Sequence, residues 1–148
     1  MSEAGLGSWA NRVERRLEEL ERQDTPRWIY LTSPLTSTSW DGDSFSTTSK
    51  TKIDLSSVFS APAFVKAVLV KAEVQDSGAS GTDCYLLLSP NDTSGIGAVC
   101  VRCPPADDRW SSDSGICPCD ASGDIYYQIV ASDSSTLDVV LEIWGYAV

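Results

Sequence analysis

The chain has 148 residues, 42% apolar composition, a formal net charge of −10 and no histidine. Such a length suits one domain with a short appendage, and the apolar share suffices for a real core. An acidic surface repels phosphate and argues against nucleic-acid binding; no apolar run is long enough to span a membrane; and the lack of histidine excludes Ser-His-Asp and Cys-His catalysis and the His-containing zinc motifs.

At the N-terminus, Met1–Gly7 lacks a basic region followed by an apolar one, so no secretory signal is expected. Residues 1–24 carry four arginines against six carboxylates, which leaves −8 for residues 25–148. Residues 6–23 predict a helix with a strict heptad. Leu6, Val13 and Leu20 fall at d, and Ala10 and Leu17 at a. Arg16 falls at g and Glu21 at the following e, so in a parallel assembly they meet with opposite charge across the interface. Ser8 suits an N-cap, and Pro26 biases Thr25 out of helical geometry. A helix packed on its own domain usually shows a wider apolar stripe. The narrow stripe with charged flanks favours self-association as an N-terminal stalk or anchor over residues 1–24. Helices this short are marginal alone, so the stalk is expected to need a head that also associates.

From Arg27 onward the pattern is β. Trp28–Leu31 predicts a first strand, followed by a Ser/Thr-rich loop over residues 32–49 holding Trp40 and Phe45. Thr51–Leu55 predicts a second strand. Phe64–Val74 predicts a strong one, with Val68, Val70, Ala72 and Val74 on one face and Lys71 and Glu73 on the other. Cys84–Leu88 is apolar throughout, as in a strand covered on both faces. Ala98–Cys103, Gly115–Cys119, Ile125–Ala131 and Leu137–Trp144 complete the set. In the last, Leu137, Val139, Leu141 and Ile143 share one face. Trp144 and Tyr146 are expected on the other, packed against a neighbouring subunit. About eight short strands with Gly/Pro/Asp/Ser turns and no second helix predict an antiparallel β-sandwich over residues 25–148, jelly-roll-like in topology.

Few motifs carry chemistry. Cys100-x-x-Cys103 has zinc-knuckle spacing, but Cys117-x-Cys119 puts both thiols on one strand face, which closes a tetrahedron poorly. A Cys103–Cys117 clasp is the alternative, and buried free thiols are the reading the residues favour. Five cysteines, an odd number, point to synthesis in a reducing compartment. Asp41-Gly42-Asp43 starts like a calcium loop without its remaining ligands, and reads first as a turn. Asp41/Asp43 and Asp107/Asp108 are paired carboxylates by type only, with no flanking apolar sequence to bury one of them. Trp40 and Trp110 sit in predicted polar loops, where an aromatic either stacks on a ligand, sugars especially, or caps the core. Trp40, Asp41, Asp43, Asp107, Asp108 and Trp110 are therefore the candidate surface-binding positions, and no catalytic, metal or cofactor site is expected.

The heptad helix at 6–23, the segment Leu31-Thr-Ser-Pro-Leu-Thr-Ser-Thr-Ser-Trp-Asp-Gly-Asp, and the ending Gly123-Asp-Ile-Tyr-Tyr-Gln-Ile with Leu137-Asp-Val-Val-Leu-Glu-Ile-Trp-Gly-Tyr carry a resemblance. The chain resembles small virion appendage proteins of tailed bacteriophages. That resemblance implies a homotrimer, made in the host cytoplasm. Its helical N-terminus would attach to the capsid or tail, and its outward β-sandwich heads would decorate the particle as fibre or decoration protein or contact a host, with no catalytic residues. The alternative function is a lectin-like carbohydrate-binding module acting through Trp40 or Trp110.

Overall fold

A computed structural model describes residues 3–40 and 49–148. Helix α1 spans Glu3–Asp24. Eight strands follow among the described residues: β1 (Trp28–Leu35), β2 (Thr51–Ile53), β3 (Ala67–Asp76), β4 (Tyr85–Ser89), β5 (Val99–Arg102), β6 (Ser111–Pro118), β7 (Ile125–Val130) and β8 (Leu137–Ala147). They form two four-stranded antiparallel sheets, ordered β1-β8-β3-β6 (sheet A) and β2-β7-β4-β5 (sheet B). Only β4 and β5 are consecutive within one sheet, and every other connection crosses between sheets. This is the jelly-roll arrangement of a β-sandwich.

Alternation builds the core. Val68, Val70, Ala72 and Val74 of β3 point inward and are fully buried, as their period of two predicts. They meet Leu86 and Leu88 of β4, Ile125 and Ile129 of β7, and Leu137, Leu141 and Ile143 of β8 in one cluster. Full burial of such side chains contributes about 1.5–3 kcal/mol each. Leu87 is buried as well, on the outer face of sheet B, which explains why the run Leu86–Leu88 is apolar without a break.

Besides β6, which starts at Ser111 instead of Gly115, four sequence expectations need correction. Helix α1 begins at Glu3, so Ser8 lies within it and caps nothing. Strand β1 runs four residues further, to Leu35; Pro34 is tolerated there because β1 is an edge strand. A one-turn helix, α2 (Leu55–Val58), follows β2, where none was expected. Its N-cap is Asp54, whose Oδ1 accepts from the amides of Ser56 and Ser57 at 3.1 Å each.

The fourth correction concerns β8. Its register with β3 jumps between Leu69, opposite Gly145, and Val70, opposite Ile143, leaving Trp144 as the extra residue of a bulge. Beyond the bulge the alternation inverts. Tyr146, opposite Val68, packs against the core instead of sharing a face with Trp144. Gly145 makes the crowding possible: a Cβ there would lie 3.0 Å from the Ile29 carbonyl oxygen and 3.6 Å from the Tyr30 ring.

Candidate interaction surfaces

Helix α1 shows its seam to solvent. All described side chains from Gly5 to Arg22 are exposed, including Ala10, Val13, Leu17 at 55% and Leu20; that of Leu6 lies outside the described residues. The sandwich therefore does not cover the apolar stripe. Arg16 pairs with Glu19 on its own helix at 3.2 Å, and Arg22 approaches Glu18 at 3.9 Å, while Glu21 offers its carbonyl to the Thr25 hydroxyl at 3.0 Å. Exposed pairs of this kind are weak, so little energy holds Arg16 from a partner helix.

At the far end of the sandwich, three inter-sheet connections converge on Asp76, the last residue of β3. Its side chain is fully buried. It accepts from the Gly78 amide at 2.7 Å, the Ser132 amide at 3.0 Å, the Thr136 hydroxyl at 3.0 Å and the Ser132 hydroxyl. Burial alone would push this carboxyl up, but the hydrogen bonds outweigh it and hold the group below its ordinary value. The β5–β6 connection joins the same network. The Asp108 amide donates to the Asp76 carbonyl at 3.1 Å, with Asp108 itself at positive φ, and Asp107 accepts from the Ser80 amide at 2.8 Å. Asp107 thus ties one loop to another. Trp110, next to β6, is 51% exposed.

Trp40 lies elsewhere. Its ring meets Tyr127 edge-on at 5.3 Å and Phe59 at 6.2 Å, and it packs against the core. The structure does not gather Trp40 with Asp107, Asp108 and Trp110. Asp41 and Asp43 lie outside the described residues.

All five cysteines are free thiols. Cys100 and Cys103 belong with β5 in sheet B, whereas Cys117 and Cys119 belong with β6 in sheet A. The fold thus distributes the two pairs between opposite sheets. Burial is the first cause that pushes Cys84, Cys117 and Cys119 up to about 12 and Cys103 to about 11, so these thiols stay protonated near neutrality. Among the described residues no group of three or more Cys, Asp or Glu side chains is placed to hold a metal ion, and no helix is long and apolar enough to cross a membrane.

The outer face of sheet A is the surface that sequence reasoning missed. Register places Tyr30, Gly145, Leu69 and Ile116 in one row across all four strands. The next row toward α1 is Trp28, Ala147, Ala67 and Pro118. Trp28 and Tyr30 stack at 6.3 Å with 15° between planes. Tyr30 is 73% exposed and Ile116 55%. On the other side of these rows the face turns polar. An open groove of about 430 Å³ is lined by Leu69, Val70, Lys71, Ser112, Asp113, Ser114 and Trp144. Several of its polar groups find partners nearby: Lys71 pairs with Glu73 at 2.8 Å, the Trp144 indole donates to Glu142 at 2.9 Å, and Asp113 accepts from the Ser114 amide at 2.8 Å. The available signal was the alternation of β3 and β8, but the apolar rows become visible only once four strands are in register.

Neither a protein-family profile nor any curated protein sequence matches the chain. Solved structures with some likeness include the Tobacco streak virus coat protein, at 8% identity over 84% of this chain and 88% of that one, with a TM-score of 0.36. The capsid structure of Helicobacter pylori bacteriophage KHP30 matches at 11% identity over 84% and 94%, with a TM-score of 0.40. A family 16 carbohydrate-binding module matches at 15% identity over 69% and 72%, with a TM-score of 0.35. At such scores these likenesses supply no argument about what the chain does.

Proposed function

We propose that the chain is a non-enzymatic structural protein of a phage virion. In this reading it is a homotrimeric fibre or decoration protein, attached to capsid or tail through its N-terminus, with the jelly-roll head turned outward. The observation that carries the reading is α1: a strict heptad seam, left exposed at Ala10, Val13, Leu17 and Leu20 by the domain to which it is joined. An apolar stripe that its own chain does not bury is explained by burial against copies of itself. The sandwich supports a non-catalytic role through its self-satisfied polar groups: among the described residues the buried carboxylates are Asp76, occupied in tying loops, and Asp124, which accepts from the Leu55 amide at 3.2 Å and pairs with Lys52 at 2.9 Å.

Two measurements test this. Light scattering at micromolar concentration should give about three times the 16.0 kDa chain mass; a monomer would defeat the assembly. In phage particles assembled from a genome that carries this sequence, mass spectrometry should find the chain in fixed stoichiometry with the capsid or tail proteins, and its absence from purified particles would defeat the virion role.

A further inference from the structure

We propose that the apolar half of the outer face of sheet A is a head-to-head contact between copies of this chain. It closes when the α1 seams associate, and so rests on the self-assembly read above.

Connectivity is the first argument. Only Thr25 and Pro26 separate the end of α1 from Arg27, whose amide and carbonyl both pair with Val148 at 3.0 Å. Three Cα–Cα steps reach at most about 11 Å, and packed helices lie about 8–10 Å apart. A head of residues 25–148 has a radius of gyration of about 14 Å. Heads tethered so closely to a parallel bundle must touch, and must do so near the first residues of β1. Trp28 and Tyr30 stand there, heading the two apolar rows.

Charge is the second. Residues 25–148 carry −8, so most approaches of two heads bring carboxylates together. The two rows contain no charged residue. They are a surface on which like heads meet without like charges, at a place where exposed aromatic and aliphatic side chains gain from burial.

Area is the third. Two rows about 7 Å apart over four strands about 4.8 Å apart cover roughly 270 Å². A stable interface needs about 800 Å² per partner. The patch therefore cannot hold copies together by itself, and the α1 seam, from Leu6 to Leu20, spans about two heptads where a coiled coil usually sustains three to four. Each supplies what the other lacks, so damage to either should loosen the same assembly.

The test uses the full chain. Sedimentation equilibrium on Tyr30→Glu and Ile116→Glu should show a dissociation constant raised at least tenfold. Val140→Glu, outward on the same sheet but beyond the patch, should leave it unchanged. Hydroxyl-radical footprinting of the unmodified protein keeps the proposal testable if a variant fails to fold. Tyr30 and Ile116 should be protected in the oligomer and labelled on dilution to monomer, with Val140 labelled in both. A wild-type monomer overturns this proposal together with the assembly reading. An oligomer that loses its mass on Leu17→Asp but keeps Tyr30 and Ile116 freely labelled overturns the head contact alone. Protection found in intact particles, but not in the purified oligomer, overturns it in favour of another virion protein as the occupant.

Discussion

The two halves of the outer face of sheet A obey opposite rules. Toward the loops tied by Asp76, polar side chains pair within their own chain: Lys71 meets Glu73, Trp144 meets Glu142, and Gln75 donates to Asp138 at 2.7 Å. Toward α1 the rows are uncharged, and Tyr30 and Ile116 stand open. A surface whose polar groups are already satisfied gains little from a partner, whereas exposed apolar area gains by leaving water. One sheet thus presents a finished half and an unfinished half. Substitutions in the first should register as stability, and substitutions in the second as assembly.

The comparison is broken outright by removing the strand that both halves share. β8 lies between β1 and β3, so deleting residues 141–148 strips β1 of the strand it pairs with and removes Leu141 and Ile143 from the core. Circular dichroism should show no cooperative melt. Deleting residues 1–23 should leave a melting head.

A smaller effect belongs to the finished half. Asp76→Ala leaves several buried donors without an acceptor and should destabilise the head by about 3 kcal/mol in denaturant unfolding. The pH dependence follows from its carboxyl being held below the ordinary value. The stability it adds is fully present above the unfolded value of about 3.9 and is lost as pH falls through the lower folded value. Melts of Asp76→Asn should accordingly show a flatter acid limb than the wild type. An unchanged limb would show that the network contributes nothing through ionisation.

Smaller again is a backbone test at the α1 end that leaves the apolar rows untouched. Gly123 has φ +83, and a Cβ there would lie 2.7 Å from the Phe64 amide nitrogen. Gly123→Ala should lower stability by about 1–2 kcal/mol through strain and crowding, without changing the dissociation constant beyond that loss. Phe64, itself at φ 61 and 72% exposed, is held in this unusual conformation where the β6–β7 turn meets it. The smallest effect is expected at Trp110→Ala. The side chain is half exposed on a loop, so stability should stay within about 0.5 kcal/mol of the wild type. A larger loss would mean that Trp110 caps the core after all.

Much of the head was legible in the sequence because period-two burial writes itself directly into residue order. Val68–Val74 and Leu137–Ile143 announce their strands and inner faces without any knowledge of partners. The heptad from Leu6 to Leu20 announces its seam in the same way. Less legible were features that depend on a second segment. Asp54 as a helix cap and Asp76 as a knot between loops look like any other turn aspartates in a row of them. The spacing of Cys100, Cys103, Cys117 and Cys119 suggests one cluster, yet β5 and β6 belong to different sheets. Trp40 and Trp110 read alike in sequence, and only the fold gives one a seat on Tyr127 and leaves the other half in water.

What the residue order determined by itself was local: a helix with a narrow apolar seam, strands with a buried side, and an acidic surface without histidine. Hydrophobic periodicity and chain stereochemistry suffice for that, because they act over a few residues. Tertiary structure alone decided strand order, the bulge at Trp144 and the joining of Trp28, Tyr30, Leu69 and Ile116 into one apolar half-face. These depend on the register between segments up to about 120 positions apart, and register is set by the packing of the whole sandwich.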